Sequence, residues 1–202
     1  MGHIERIINH LVIASSFTPN IGLYHGKMGI VISLCHYARF AGKPIYDDFA
    51  GELLDEVCSG IHAGTGFDFE NGLAGIGWGI EHLLQNRFME GDSNVVLRNI
   101  NEHLMKYDAR RIKDESEKEG VKGIYYYVDK HLNSPCRDTA FLTLDDLYVH
   151  ELAGRITDKA IPDDKDLLLS VIGDLPSGSN ILEWSLGLEN GCAGYVLKQV
   201  LS

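Results

Sequence analysis

The chain has 202 residues, 45% apolar and 23% charged, with a net charge of -11. Those proportions suit a single globular domain, residues 1–202, large enough to bury a core, and they exclude a disordered chain. The acidity argues against a nucleic-acid partner, because holding a phosphate backbone takes a surplus of Lys and Arg. Cys35, Cys58, Cys136 and Cys192 lie far apart with no Cys-x-x-Cys pair, so their spacing gives neither a zinc framework nor a dense disulfide scaffold. No run approaches the roughly 20 apolar residues of a membrane span, and early Glu5 and Arg6 do not suit a signal peptide. The expectation is a cytoplasmic protein with reduced thiols that does not enter the membrane.

In chain order, Ile4, Ile7, Ile8, Leu11 and Val12 sit at helical spacing and predict an amphipathic helix. His25-Gly26-Lys27-Met28-Gly29-Ile30 then opens a stretch that is apolar on nearly every side, through Leu34, Cys35 and Tyr37, and predicts a buried helix. Pro44 stands at the start of a second amphipathic stretch carrying Phe49, Leu53, Val57 and Ile61. Asn71-Gly72-Leu73-Ala74-Gly75-Ile76 opens a second buried helix with Trp78, Ile80, Leu83 and Leu84. Asp92 or Ser93 is placed to cap a third amphipathic helix through Val96, Leu97, Ile100, Leu104 and Tyr107. Glu119-Gly120-Val121-Lys122-Gly123-Ile124 repeats the turn more weakly and leads into Tyr125, Tyr126 and Tyr127. Pro162 with Asp163 and Asp164 opens a helix expected to run to about Leu175. Asn190-Gly191-Cys192-Ala193-Gly194-Tyr195 precedes an apolar last helix.

The first glycines of the four copies, Gly26, Gly72, Gly120 and Gly191, are 46, 48 and 71 residues apart, as in a repeat array with an insertion before its last member. Four buried inner helices alternating with amphipathic outer ones predict an all-α fold of α/α hairpin repeats, a partial toroid or incomplete α/α barrel. Strand-like alternation is nearly absent. A Gly-x-x-Gly pair removes two side chains from a helix start. Close backbone approach follows, along with amides open at helix N-termini where anions and carbonyl oxygens are favoured. The competing reading is that the glycines only permit tight inner-helix packing.

At these turns the sequence resembles the lanthionine synthetase C-like family. Gly22-Leu23-Tyr24-His25-Gly26-Lys27-Met28-Gly29 matches that family's Gly-Leu-x-His-Gly-x-x-Gly repeat. Gly72-Leu73-Ala74-Gly75-Ile76-Gly77-Trp78-Gly79 and Gly187-Leu188-Glu189-Asn190-Gly191-Cys192-Ala193-Gly194 look like further copies. The resemblance runs from about Ile21 to the C-terminus, and residues 133–185 are the least distinctive. It implies a helical toroid acting on peptides, whose cyclase members add a Cys thiolate to dehydroalanine or dehydrobutyrine at a zinc ion held by two Cys and one His. The residues before the glycines are here Tyr24-His25, Glu70-Asn71, Lys118-Glu119 and Glu189-Asn190, with no cysteine. A family-type zinc site is therefore not expected, and no other cofactor is implied. Four turns are also fewer than a cyclase's seven hairpins, which leaves an edge that a homodimer would bury.

Three readings follow. The first is a lanthionine synthetase C-like protein, tied to lanthipeptide-type peptide modification, that binds a peptide or a modifying-enzyme partner without zinc-dependent cyclisation. The second is a metal-independent, glycosidase-like hydrolase of the α/α-toroid type that works with Glu70, Glu189 and His25. Such chemistry needs two carboxylates about 5 to 9.5 Å apart. The third is a purely structural helical-repeat scaffold. His25 is the candidate proton-transfer residue with Asp68 as its acid/base partner. Tyr24, Gly26, Glu70, Asn71, Gly72, Trp78, Glu189, Asn190 and Gly191 are the candidate binding residues of the rim. Helix capping is the competing role for Asn71 and Asn190, and core packing for Trp78 and the tyrosines. His36, Glu81 and His82 interrupt apolar helices and must find polar partners or water if buried.

Overall fold

The computed structural model describes residues 2–138, 140–178 and 180–202. Among them it is all-helical, with no strand. In chain order the helices are α1 (His3–Ser15), α2 (Lys27–Ala41), α3 (Ile45–Gly60), α4 (Leu73–Gln85) and α5 (Ser93–Val96). They continue with α6 (Arg98–Leu104), α7 (Val121–Leu132), α8 (Asp146–Arg155), α9 (Asp164–Ile172) and α10 (Cys192–Leu201), with a 3-10 turn at Ile181–Glu183. None of the helices is long and apolar enough to cross a membrane. The chain packs as two compact units, Met1–Gly60 with Pro162–Ser202, and Ile61–Ile161.

In the first unit α2 is the central helix. It is buried on every side from Lys27 to Cys35, as its unbroken apolar run predicts, and α1, α3 and α10 all pack on it. The amphipathic partners bury one stripe each: Ile7, Ile8 and Leu11 of α1, and Ala50, Leu53 and Val57 of α3. Ser33 donates to the Ala193 carbonyl at 2.9 Å, tying α2 to α10 through a satisfied buried hydroxyl. α9 begins where Asp163 accepts from the Asp166 amide at 2.8 Å. It stops at Ile172, short of the expected Leu175, because Gly173 adopts φ 60 and turns the chain away.

In the second unit α4 is buried from Leu73 to Leu84 and packs on α6 and α7. The single helix expected after Asp92 is two. Asp92 caps α5 by accepting from the Val95 amide, but Leu97, at φ -95 and ψ 2, breaks the run before α6. α8 lies in a stretch with no helical period of its own in the sequence. Asp145 caps it by accepting from the Leu147 and Tyr148 amides, and it buries Tyr148 and Leu152, one turn apart, as it packs on α7.

Candidate functional site

Each inner helix starts directly after the first glycine of a turn, so Gly26, Gly72, Gly120 and Gly191 are the N-caps of α2, α4, α7 and α10. All four have extended backbone that any residue adopts, so what demands glycine is space. A Cβ on Gly72 would lie 2.5 Å from the Gly66 carbonyl oxygen and 2.7 Å from the Asp68 amide nitrogen. The preceding loop folds back over the helix start because it satisfies the helix's first amides. Lys27 donates to Asn20 O at 2.9 Å, Leu73 to Gly66 O at 2.8 Å, Val121 to Asp114 O at 3.0 Å and Cys192 to Ser185 O at 2.8 Å. The second amides of three of these helices follow suit: Met28 to Ile21 O, Ala74 to Phe67 O and Ala193 to Leu186 O. The amides expected to stand open to a ligand are thus already hydrogen-bonded within the chain.

The turns also pair, in the same way within each unit. In the first, the Tyr24 carbonyl accepts from the amides of Leu188 and Glu189, at 2.7 and 3.1 Å. In the second, the Lys118 carbonyl accepts from the amides of Phe69 and Glu70, at 2.8 and 3.1 Å. Each acceptor lies two residues before its glycine, and each donor pair three and two residues before its own. The pairing brings His25 against Glu189, with Nε2 3.2 Å from a carboxylate oxygen and side-chain exposures of 40% and 23%. This is the one pair of predicted site residues whose side chains the first unit brings together as an ion pair.

Other candidates take structural roles. Asp68 accepts from the Asn71 amide at 2.7 Å, so its carboxylate shapes the turn. Asn71 and Asn190 do not cap their helices, since the glycine after each is the N-cap and has no side-chain cap bond. Asn190 instead adopts φ 52, a left-handed conformation that Asn tolerates better than most residues. Tyr24 is buried, and its carbonyl makes the turn pairing. Trp78 is 1% exposed, stacked on His82 at 5.3 Å and edge-on to Phe69 at 6.0 Å, so its ring is core and offers no surface to a ligand.

The sequence flags Glu81 as needing a partner but does not show which. It is fully buried and bonds His131 Nδ1 at 2.7 Å, with Gln85 donating to its second oxygen at 3.2 Å. Ser93 donates to the first oxygen and also lies 2.9 Å from His131 Nδ1. Tyr127 donates to Asn101 Oδ1 at 2.5 Å, which turns the Asn101 amide nitrogen toward His131 Nε2, 3.1 Å away, and Thr143 Oγ1, 2.7 Å away. Nε2 therefore accepts, and Nδ1 carries the proton shared with Glu81. Ser, His and Glu are together, but a nucleophile relay needs hydroxyl and carboxylate on opposite ring nitrogens. Here both face Nδ1, out of reach of solvent, so the group is a polar core network. Burial first, and then the Glu81 carboxylate, push the Tyr127 hydroxyl well above its usual range.

Cys35 and Cys192 are buried free thiols. Burial pushes the Cys35 thiol up to about 12, aided by Asp47, and the Cys192 thiol up to about 11. Among the described residues no cysteine belongs to a group of three His, Cys, Asp or Glu ligand atoms near enough to share an ion. No family model, no curated protein and no solved structure matches the chain.

Proposed function

We propose that the chain is a lanthionine synthetase C-like protein of the partial-toroid type that binds a peptide, or the enzyme modifying it, at its glycine-turn rim without zinc-dependent cyclisation. The observation carrying this reading is the half-exposed His25–Glu189 pair, held at two interlocked turns by the bonds to Tyr24 O. An imidazole and a carboxylate on a backbone fixed by its own hydrogen bonds are the kind of placed polar groups that orient a bound peptide. The recurrence of the same two-amide bond at Lys118 supports hairpins built to one plan.

The test is titration with a peptide carrying both cysteine and dehydroalanine, followed by NMR of the His25 ring and by mass spectrometry of the peptide. Saturable binding that His25→Ala and Glu189→Gln each weaken about tenfold is expected, a loss of about 1.4 kcal/mol, with no thioether product. Stoichiometric bound zinc lost on substitution of a cysteine would overturn the zinc-free reading. One observation favours the scaffold reading, namely that the loops already occupy the helix N-terminal amides. Absence of binding together with unchanged His25 signals would establish that reading instead.

A further inference from the structure

The first unit carries an open apolar groove that involves none of the glycine turns. α1 and α3 each pack on α2, and a groove of about 220 Å3 is lined by Val12 of α1 and by Ile45, Tyr46, Asp48, Phe49 and Glu52 of α3. Ile45, Asp48, Phe49 and Glu52 are spaced i, i+3, i+4 and i+7, so they share one face of α3. A different stripe, Ala50, Leu53 and Val57, faces the core. α3 is therefore apolar twice over, and its second stripe is in water: Ile45 is 66% exposed. Ile13, beside Val12, is 69% exposed.

The charges along this face have one sign. Asp48, Glu52 and Asp55 stand one helical turn apart, repel one another, and form no ion pair among the described residues. The neighbouring acids behave differently: Glu56 pairs with Lys27, and Glu5 pairs with Lys43. An apolar stripe edged by uncompensated carboxylates is complementary to an amphipathic helix whose polar edge is basic. A second copy of the chain fits less well, since a two-fold contact would set the same carboxylates against each other on a chain of net charge -11.

We infer that the α1–α3 groove docks a basic amphipathic helix of a partner protein, with an apolar anchor over Ile45 and Phe49 and Lys or Arg side chains against Asp48 and Glu52. Binding is electrostatically steered and weakens with salt. The probe is a labelled Leu/Lys peptide of about 15 residues, long enough to hold helix, titrated into the full chain by fluorescence anisotropy beside a Leu/Glu peptide of the same pattern. The Leu/Lys peptide is expected to bind and the Leu/Glu peptide not to. Ile45→Ser, which leaves every charge in place, should cost about fivefold or more, separating the groove from general attraction to an acidic protein. Asp48→Lys with Glu52→Lys should lose about tenfold for the Leu/Lys peptide and gain binding of the Leu/Glu peptide. All these positions are exposed, and unchanged circular dichroism confirms the fold of each variant. Failure of the Leu/Lys peptide to bind below about 1 mM overturns the inference, as does equal binding by Ile45→Ser. A dimer by light scattering that Ile45→Ser dissolves also overturns it, by assigning the groove to a second copy.

Discussion

Replacing Gly72 by alanine places a methyl 2.5 Å from the Gly66 carbonyl oxygen, 2.7 Å from the Asp68 amide nitrogen and 2.7 Å from an Asp68 carboxylate oxygen. Two of these are backbone atoms, which cannot swing aside as a side-chain tip would. To reach ordinary contact near 3.4 Å, the Gly66 carbonyl must retreat by about 0.9 Å, the difference of those two distances. It then leaves the Leu73 amide it accepts from at 2.8 Å and strains the Asp68–Asn71 turn. Overpacking costs about 1–3 kcal/mol and each lost hydrogen bond about 1 kcal/mol, giving about 2–4 kcal/mol in total. Gly51 is the internal control. It lies within α3, is exposed, and a Cβ there would meet nothing within 4 Å. Gly51→Ala should therefore stabilise by about 0.5–1 kcal/mol through helix propensity alone. At about 2–4 °C per kcal/mol for a chain of this size, the melting temperature should fall by about 4–16 °C for Gly72→Ala and rise by about 1–4 °C for Gly51→Ala. Far-UV circular dichroism with heat and urea reads both. A Gly72→Ala midpoint at or above that of the native chain would refute the claim that space, and not backbone conformation, dictates these glycines.

Asn101→Ala strands the Tyr127 hydroxyl in the core and leaves His131 Nε2 with Thr143 Oγ1 alone, 3.3 Å away, and should cost about 2–4 kcal/mol in urea unfolding. Tyr127→Phe removes only the donor to Asn101 Oδ1 and should cost about 1–2 kcal/mol; a reversed order would show that the network is not organised around Asn101. With their thiols raised by burial, Cys35 and Cys192 should resist iodoacetamide at pH 8 in the folded chain and react in denaturant, as read by peptide mass spectrometry. Lys122 hydrogen-bonds Glu117 and holds its carboxyl below the usual 4.5, so the folded state binds that proton less readily than the unfolded state. Its contribution is present above the ordinary carboxylate value and is lost as pH falls through the lowered one. The acid limb of the stability curve should flatten in Glu117→Gln, and an unchanged limb would rule the pair out as a contributor.

Much of the helical fold is legible in the sequence because it depends on local quantities. Continuous apolarity after Gly26 and Gly72 produces helices buried all round, one buried stripe each gives α1, α3 and α9, and Asp92 and Asp163 cap where their side chains can reach an amide. α8 is not legible in the sequence because its buried face is only Tyr148 and Leu152, too short a stripe to register as a period. Glu81 could be recognised as a polar group in need of partners, but Ser93, Asn101 and His131 lie 12, 20 and 50 residues further along the chain, and spacing alone does not select them. The same limit applied to the glycine turns. Their recurrence is sequence information, whereas the loop that consumes their amides and the pairing of Tyr24 with Leu188 and Glu189 exist only once the chain has folded. What a helix buries follows from its own residues; what its first amides and lone carboxylates bond to is decided by whichever distant segment the packing brings alongside.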